Sequence, residues 1–287
     1  MEKDVAAIKD SLVTSKPEID KILGAPGLNR DGKYDFSTVL FNGGLENISS
    51  DWPRIFASGK PVIINKEKQE RNELEQKTSE GRAIIIPPYV LALFHYVDLR
   101  TLRGTVGPVT FEFTADEVIN EEYWLSPNKD LDIKIPLQKI KFLPESDLAV
   151  FKMSENVIIS HPLFDFGRSR ELRVGNVVFL LGSPTLAAPI VRSGIVAGFG
   201  YQVDARNLTI PSIWDAKDLI LISMGIVGGD SGSPVIALRD GKPELVGMVN
   251  STFSNVGSMI AIDRALEKIK TATRIDLRKI NEENLRK

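Results

Sequence analysis

The sequence predicts an all-β fold with helical ends, and two observations carry that prediction. From residue 61 onward, short β-branched runs recur at regular spacing, broken by turn residues and with few helical patterns between them. That texture belongs to an antiparallel barrel or sandwich. Apolar residues at helical spacing occur instead at the two ends of the chain.

Taken in order, residues 1–24 read as helix. Val5, Ile8 and Leu12 share a face, Ser15-Lys16-Pro17-Glu18 has capping-box spacing, and Gly24 stops the run. Residues 1–55 form an extension, rich in Gly, Asn, Asp and Ser after residue 24. The predicted strands begin with 61–64, 82–86 and 89–93, followed by 109–113, 148–151 and 176–181. Region 188–262 adds more, among them 189–191 and 245–249. Charges alternate in sign between Lys66 and Arg82 without apolar periodicity, which predicts a solvated loop or hairpin tip. Ile262, Ala265, Leu266 and Ile269 then share a helical face, with Asp263 placed to cap it. Leu277, Ile280 and Leu285 continue as a tail over 271–287.

At 287 residues, 43% apolar and 26% charged, the chain can bury a full core as one large β domain or two small ones. Its 36 basic and 38 acidic residues make no basic field, so nucleic acid is not an expected partner. The lack of cysteine excludes disulfides and thiolate chemistry. No stretch approaches the about 20 apolar residues of a membrane span, and no signal-peptide core follows Met1. These features lead to the expectation of a cytoplasmic protein without a membrane partner.

The chemistry centres on Gly228-Gly229-Asp230-Ser231-Gly232-Ser233-Pro234, between the apolar runs 219–222 and 234–238. Glycines permit positive φ, so a tight bend can expose Ser231 while the N–H groups of Gly229 and Ser231 aim at one point. An oxyanion hole needs that geometry, although Gly, Asp and Ser are also ordinary turn residues. A serine hydroxyl needs a base, and the chain has two histidines, His95 and His161. His95 follows the apolar strand 89–93. His161 sits in a Pro- and Gly-containing connection and reads as structural or incidental. The best orienting carboxylate is Asp147, at the mouth of the strand 148–151.

The order His95, Asp147, Ser231, together with the three local contexts, resembles the trypsin/chymotrypsin superfamily of serine proteases. The stretches 172–184 and 191–196 are similar to the HtrA/Deg type within it. The likeness covers roughly residues 56–270, and no PDZ domain follows within this sequence. It implies two antiparallel six-stranded β-barrels meeting near 155–172, with His95 and Asp147 on the first barrel and Ser231 on the second. A serine endopeptidase acting on polypeptide through an acyl-enzyme is the implied activity. No metal or organic cofactor is called for, and a homo-oligomer such as a trimer is allowed.

The likeness also places substrate against Gly225, Ile226, Asn250, Ser251 and Thr252. No acidic residue occurs there, so a small or apolar side chain is expected before the scissile bond. Three departures stand out: Phe94 before the histidine, Ser233 in place of the second glycine common after the nucleophile, and Asp230. In secreted digestive relatives the aspartate matching Asp230 pairs with a new N-terminus, so here it needs another partner. A trypsin-fold scaffold with little turnover, or a protease that processes itself or one partner, remain the alternatives.

Overall fold

Strands in the middle of this chain are apolar on both faces, and the architecture explains why. The computed structural model describes residues 53–286, apart from 107–108, 127–132, 154–163, 183–189, 201–217, 240–241 and 254–255. In the first half, β1 (Arg54–Asn65), β3 (Lys77–Ile86), β4 (Tyr89–Leu93), β9 (Leu148–Met153), β8 (Ile135–Leu143) and β7 (Glu117–Ser126) pair antiparallel in that order. Pairing of β7 with β1 closes them into a barrel of six strands. β2 (Glu70–Glu73) extends its edge, while β5 (Thr101–Val106) and β6 (Val109–Thr114) form a separate ribbon.

The second half repeats the plan. β15 (Lys242–Phe253), β14 (Pro234–Arg239), β11 (Val177–Gly182), β12 (Ile190–Phe199), β13 (Leu219–Ser223) and β16 (Val256–Ala261) pair antiparallel in that order. β16 closes onto β15, and the short β10 (Asp165–Phe166) adds in parallel at the edge. Three helices complete the described chain: α1 (Phe94–Val97), α2 (Ile262–Thr273) and α3 (Leu277–Leu285).

Three apolar cores result. Ile55, Ile85, Val90, Leu125 and Phe151 fill the first barrel, and Val178, Leu180, Ile222, Val235 and Met259 fill the second. A third core lies between them. There Ile84, Ile86, Leu91, Leu93 and Val150 meet Phe179, Leu181, Ile236, Met248 and Ile260. Alternate residues of β3, β4 and β9 thus enter one core or the other, so both faces must be apolar and the runs lose their alternation. The helix α2 seals this middle core with Ile262, Ala265, Leu266 and Ile269, the face predicted for it. Full burial of a Leu or Ile contributes about 1.5–3 kcal/mol, so α2 is held firmly against both barrels.

Two local expectations change. More than half of the charged segment 66–82 is strand: over 77–80, Lys77 and Ser79 are partly buried while Thr78 and Glu80 are exposed, an alternation of period two hidden by the charges. Asp263 does not cap α2, whose N-cap is Ala261 without a side-chain bond. Its carboxylate instead accepts from Ser169 Oγ (3.1 Å), Arg170 N (3.2 Å) and Arg278 Nη2 (2.6 Å), fastening α2 to the segment that enters the second barrel. The predicted helix over 1–24, the bulk of the 1–55 extension and His161 lie outside the described residues.

Candidate active site

The strand β4 ends at Leu93 and the chain turns at once into α1, so His95 stands in the first turn of a four-residue helix rather than at a bare strand end. So short a helix cannot hold itself, because its first N–H groups have no partners within it. Asp147 supplies them. Its backbone carbonyl accepts from Phe94 N (3.0 Å) and its Oδ1 accepts from His95 N (2.9 Å). Its other oxygen, Oδ2, lies 2.7 Å from His95 Nδ1.

Asp147 ends a 3-10 turn over Pro144–Ser146, and its φ of 53° aims the side chain back at α1. Asp and Asn tolerate that left-handed conformation better than most side chains. The carboxyl side chain is 1% exposed and the imidazole 32%. A carboxylate only accepts, so Nδ1 carries the proton and Nε2 remains for the opposite side of the ring.

Ser231 comes from the loop between β13 and β14. Gly229 and Gly232 both take positive φ, 93° and 84°. At Gly232 a Cβ would stand 2.2 Å from the backbone oxygen of Arg82, so only glycine fits. Arg82 N in turn donates to Ser231 O (3.4 Å), which ties β3 of the first barrel to the loop of the second. The Ser231 hydroxyl donates to the carbonyl of Asn250 at 3.4 Å. Within the loop, the N–H groups of Asp230 and Ser233 donate to Val227 O and Asp230 O, and Gly232 N donates to Val249 O of β15.

Tyr96 joins the halves of the site. Its ring lies against that of His95, with centroids 4.4 Å apart, and its phenol is near the Ser231 side chain. Burial pushes the Tyr96 phenol above its ordinary value, so it is neutral beside the serine. Gly81 makes room for this ring, since a Cβ there would meet Tyr96 carbons at 2.7 Å.

Asp230 has its partner in Arg192 of β12. The Asp230 carboxylate is fully buried and pairs with Arg192 Nη2, while its second oxygen accepts from Val227 N at 2.8 Å. Arg192 Nη1 also donates to the carbonyl of Gly225 at 2.5 Å. One guanidinium therefore fixes both ends of the segment 225–230. Gly182 packs against the pair, where a Cβ would lie 2.5 Å from Arg192 Nη2. Arg82 adds a further cation nearby, and burial pulls its guanidinium down to about 10 despite the neighbouring Glu80 and Asp230.

Of the expected substrate-binding residues, Asn250 touches Ser231 through its carbonyl. Ile226 lies over Gly257, so closely that a Cβ on that glycine would be 1.9 Å from its Cδ1. Asn250 is buried, its Oδ1 accepting from Ser258 Oγ at 2.6 Å. Ser251 Oγ is 2.8 Å from Ser258 Oγ, and Thr252 is exposed. Gly225 faces open space. The ring of Phe94 turns away onto Phe142, 5.4 Å between centroids. Ser233 is fully buried.

Sequence reasoning did not find Arg192, Arg82 or Tyr96 as parts of this assembly. One signal was present for Arg192, a lone charge in the otherwise apolar stretch 189–196. Among the described residues no cluster of His, Asp and Glu has the composition of a metal site. None of their helices is long and apolar enough to cross a membrane.

Comparison with known proteins agrees with this architecture. The sequence profile of the trypsin-like peptidase domain matches residues 100–248, which include Asp147 and Ser231 and begin just after His95. A probable periplasmic serine endoprotease, DegP-like, of Bartonella henselae is 35% identical over 129 residues, 44% of this chain and 23% of that protein. The chloroplastic Protease Do-like 5 of Arabidopsis thaliana is 30% identical over 115 residues, 40% of this chain and 33% of that one. The chain thus spans about a third or less of the length of these two curated relatives. The solved HtrA-type protease AlgW with decapeptide superposes with a TM-score of 0.52 at 20% identity, covering 79% of this chain and 66% of that one, and shows the shared fold.

These findings overturn the cytoplasmic expectation, because several matched relatives are named periplasmic proteins. That expectation rested on the first residues of the sequence, which do not determine the compartment. The two-barrel fold and the HtrA/Deg likeness stand. With its profile spanning more than half of the sequence, the chain belongs to the trypsin-like peptidase domain family, on the HtrA/Deg side of it.

Proposed function

We propose that this chain is a serine endopeptidase that cleaves polypeptide through Ser231, His95 and Asp147. The observation that carries the reading is the contact of His95 Nδ1 with the buried Asp147, in a site that Tyr96 extends to Ser231. In this mechanism Ser231 Oγ attacks a peptide carbonyl while His95 Nε2 takes its proton. Asp147 keeps the imidazole in the needed tautomer and stabilises the imidazolium. The tetrahedral oxyanion accepts from the N–H groups of Gly229 and Ser231, and a donor of this kind is worth about 10²–10³ in turnover. His95 then protonates the leaving amine, and water hydrolyses the acyl-enzyme by the same route. The Arg192–Asp230 pair takes the place of a cleaved N-terminus and holds the loop without proteolytic activation.

Ile226, laid over Gly257, makes the pocket before the scissile bond shallow. Small side chains fit it, and nothing acidic awaits a Lys or Arg. The test is casein degradation followed by a peptide-library profile, with Ser231→Ala as control. The reading expects cleavage after small residues, lost in the variant, and a preference opening toward Leu or Phe in Ile226→Ala. One methylene in such a pocket changes selectivity about 10–200-fold. Persistent cleavage by Ser231→Ala would remove the serine from the mechanism.

A further inference from the structure

The helix α2 does more than seal the middle core. Its N-terminus is fastened through Asp263 to Ser169, Arg170 and Arg278, and its apolar face is buried between the barrels. On this rigid support Lys268 reaches two partners from different halves of the molecule. Its Nζ donates to Ser146 Oγ at 2.9 Å and forms an ion pair with Asp218. Ser146 is 5% exposed and is the last residue of the 3-10 turn, immediately before Asp147. Asp218 is 6% exposed and immediately precedes β13, the strand that leads into the Ser231 loop.

We propose that Lys268 is a positioning residue that sets the Asp147 turn, and through it His95, in register with the second barrel. The proposal rests on the triad reading above. Asp147 takes a left-handed conformation at the end of a single 3-10 turn, and both its backbone and its side chain hold α1. A turn that short has no ladder of its own to fix its tilt. The only direct side-chain hydrogen bond to it from the second half of the molecule, among those described, is the one from Lys268. A charged donor makes this bond stronger than a neutral one. If the bond is lost, the turn can rotate and the imidazole shifts relative to Ser231. Misplacement by about 1 Å can cost about 10² in rate.

Ser146→Ala removes the acceptor and keeps the Lys268–Asp218 ion pair, while Lys268→Met removes the donor. The latter leaves Asp218 buried and unpaired, so Lys268→Met with Asp218→Asn is the folded fallback. Lys270→Met, on the same helix but bonded to the exposed Asp276, serves as control. The expected result is a fall in kcat of about tenfold or more in Ser146→Ala and in Lys268→Met, with KM nearly unchanged. The Ser146→Ala/Lys268→Met double variant should have a kcat no lower than either single one, because both substitutions break the same bond. The downfield proton resonance of His95 Nδ1–H should shift or broaden in both, and stay in place in Lys270→Met.

Wild-type kcat together with an unmoved resonance in Ser146→Ala and Lys268→Met would overturn the proposal. The resonance reports the His95–Asp147 contact directly, so it decides the proposal even for a protein with little turnover. Failure of the triad reading looks different: His95→Ala would then hydrolyse peptide as fast as wild type, whatever happens at Lys268.

Discussion

The two barrels contribute to the site by opposite means. On the first, His95 and Asp147 come from turns that hold each other: α1 lacks partners for its own N–H groups, and the Asp147 turn provides them. On the second, the Ser231 loop adds to its internal hydrogen bonds two tethers from outside, Arg192 of β12 and the Arg82 backbone of the other barrel. The first arrangement is mostly local, with Lys268 as its one described side-chain tether from the other half. The second depends on a buried charge, which is costly in low dielectric unless paired. The site therefore has one half fixed by geometry and one half fixed by electrostatics, and the two should fail differently.

The sharpest contrast comes from removing one function at a time. Asp147→Asn keeps the size of the side chain but reverses the tautomer it favours on His95, and a fall of about 10⁴ in kcat is expected with the fold intact. Steady-state kinetics beside a thermal melt will show it. Arg192→Met acts on the other half and should do more to the fold. Leaving Asp230 buried without its cation costs about 3–5 kcal/mol, read in denaturant unfolding. Adding Asp230→Leu should recover most of that stability and none of the activity, because the loop would have lost its tether at Val227 N and Gly225 O. If the paired variant were as active as wild type, the electrostatic account of this half would be wrong.

A smaller effect is expected from Gly232→Ala. Its φ of 84° alone costs about 1–3 kcal/mol, the overlap with Arg82 O adds to that, and turnover slows as Ser231 is displaced. The smallest lies away from the cleft, at Asp276, which caps α3 by accepting from Lys279 N at 3.2 Å. Its hydrogen bonds with Lys270 and Lys279 N lower its carboxyl below the ordinary 3.8. A lowered carboxyl stabilises the fold above its unfolded value, and that contribution is lost as pH falls through the folded value. Asp276→Ala should thus cost about 1 kcal/mol at neutral pH, the usual worth of a cap, and progressively less below pH 3.8. A difference that grows on acidification would contradict this sign.

The contrast between the halves also sets how much could be read from the sequence. The Ser231 loop, His95 and Asp147 could be singled out as candidates only by their joint order and contexts, since each turn alone is ordinary, and the structure sets His95 against Asp147. Strand positions were legible where continuous apolar, β-branched runs supplied them, but not over 77–80, 117–126 or 135–143, where charged and polar side chains interrupt the run. Arg192 was visible as a residue but not as a partner, because an ion pair between separate strands has no sequence period. The same holds for Lys268, which reads as an ordinary polar position on an amphipathic helix. Asp263 shows the converse, since a residue well placed to cap its helix found three partners from other segments instead.

Fluorophosphonate labelling of the wild type, Ser231→Ala and His95→Ala, side by side, tests most directly whether the two halves meet in one working centre. The account predicts rapid labelling of the wild type at Ser231, none of Ser231→Ala, and labelling slowed by orders of magnitude in His95→Ala. Equal labelling of His95→Ala and wild type would mean that the imidazole held by the first barrel does not activate the serine of the second.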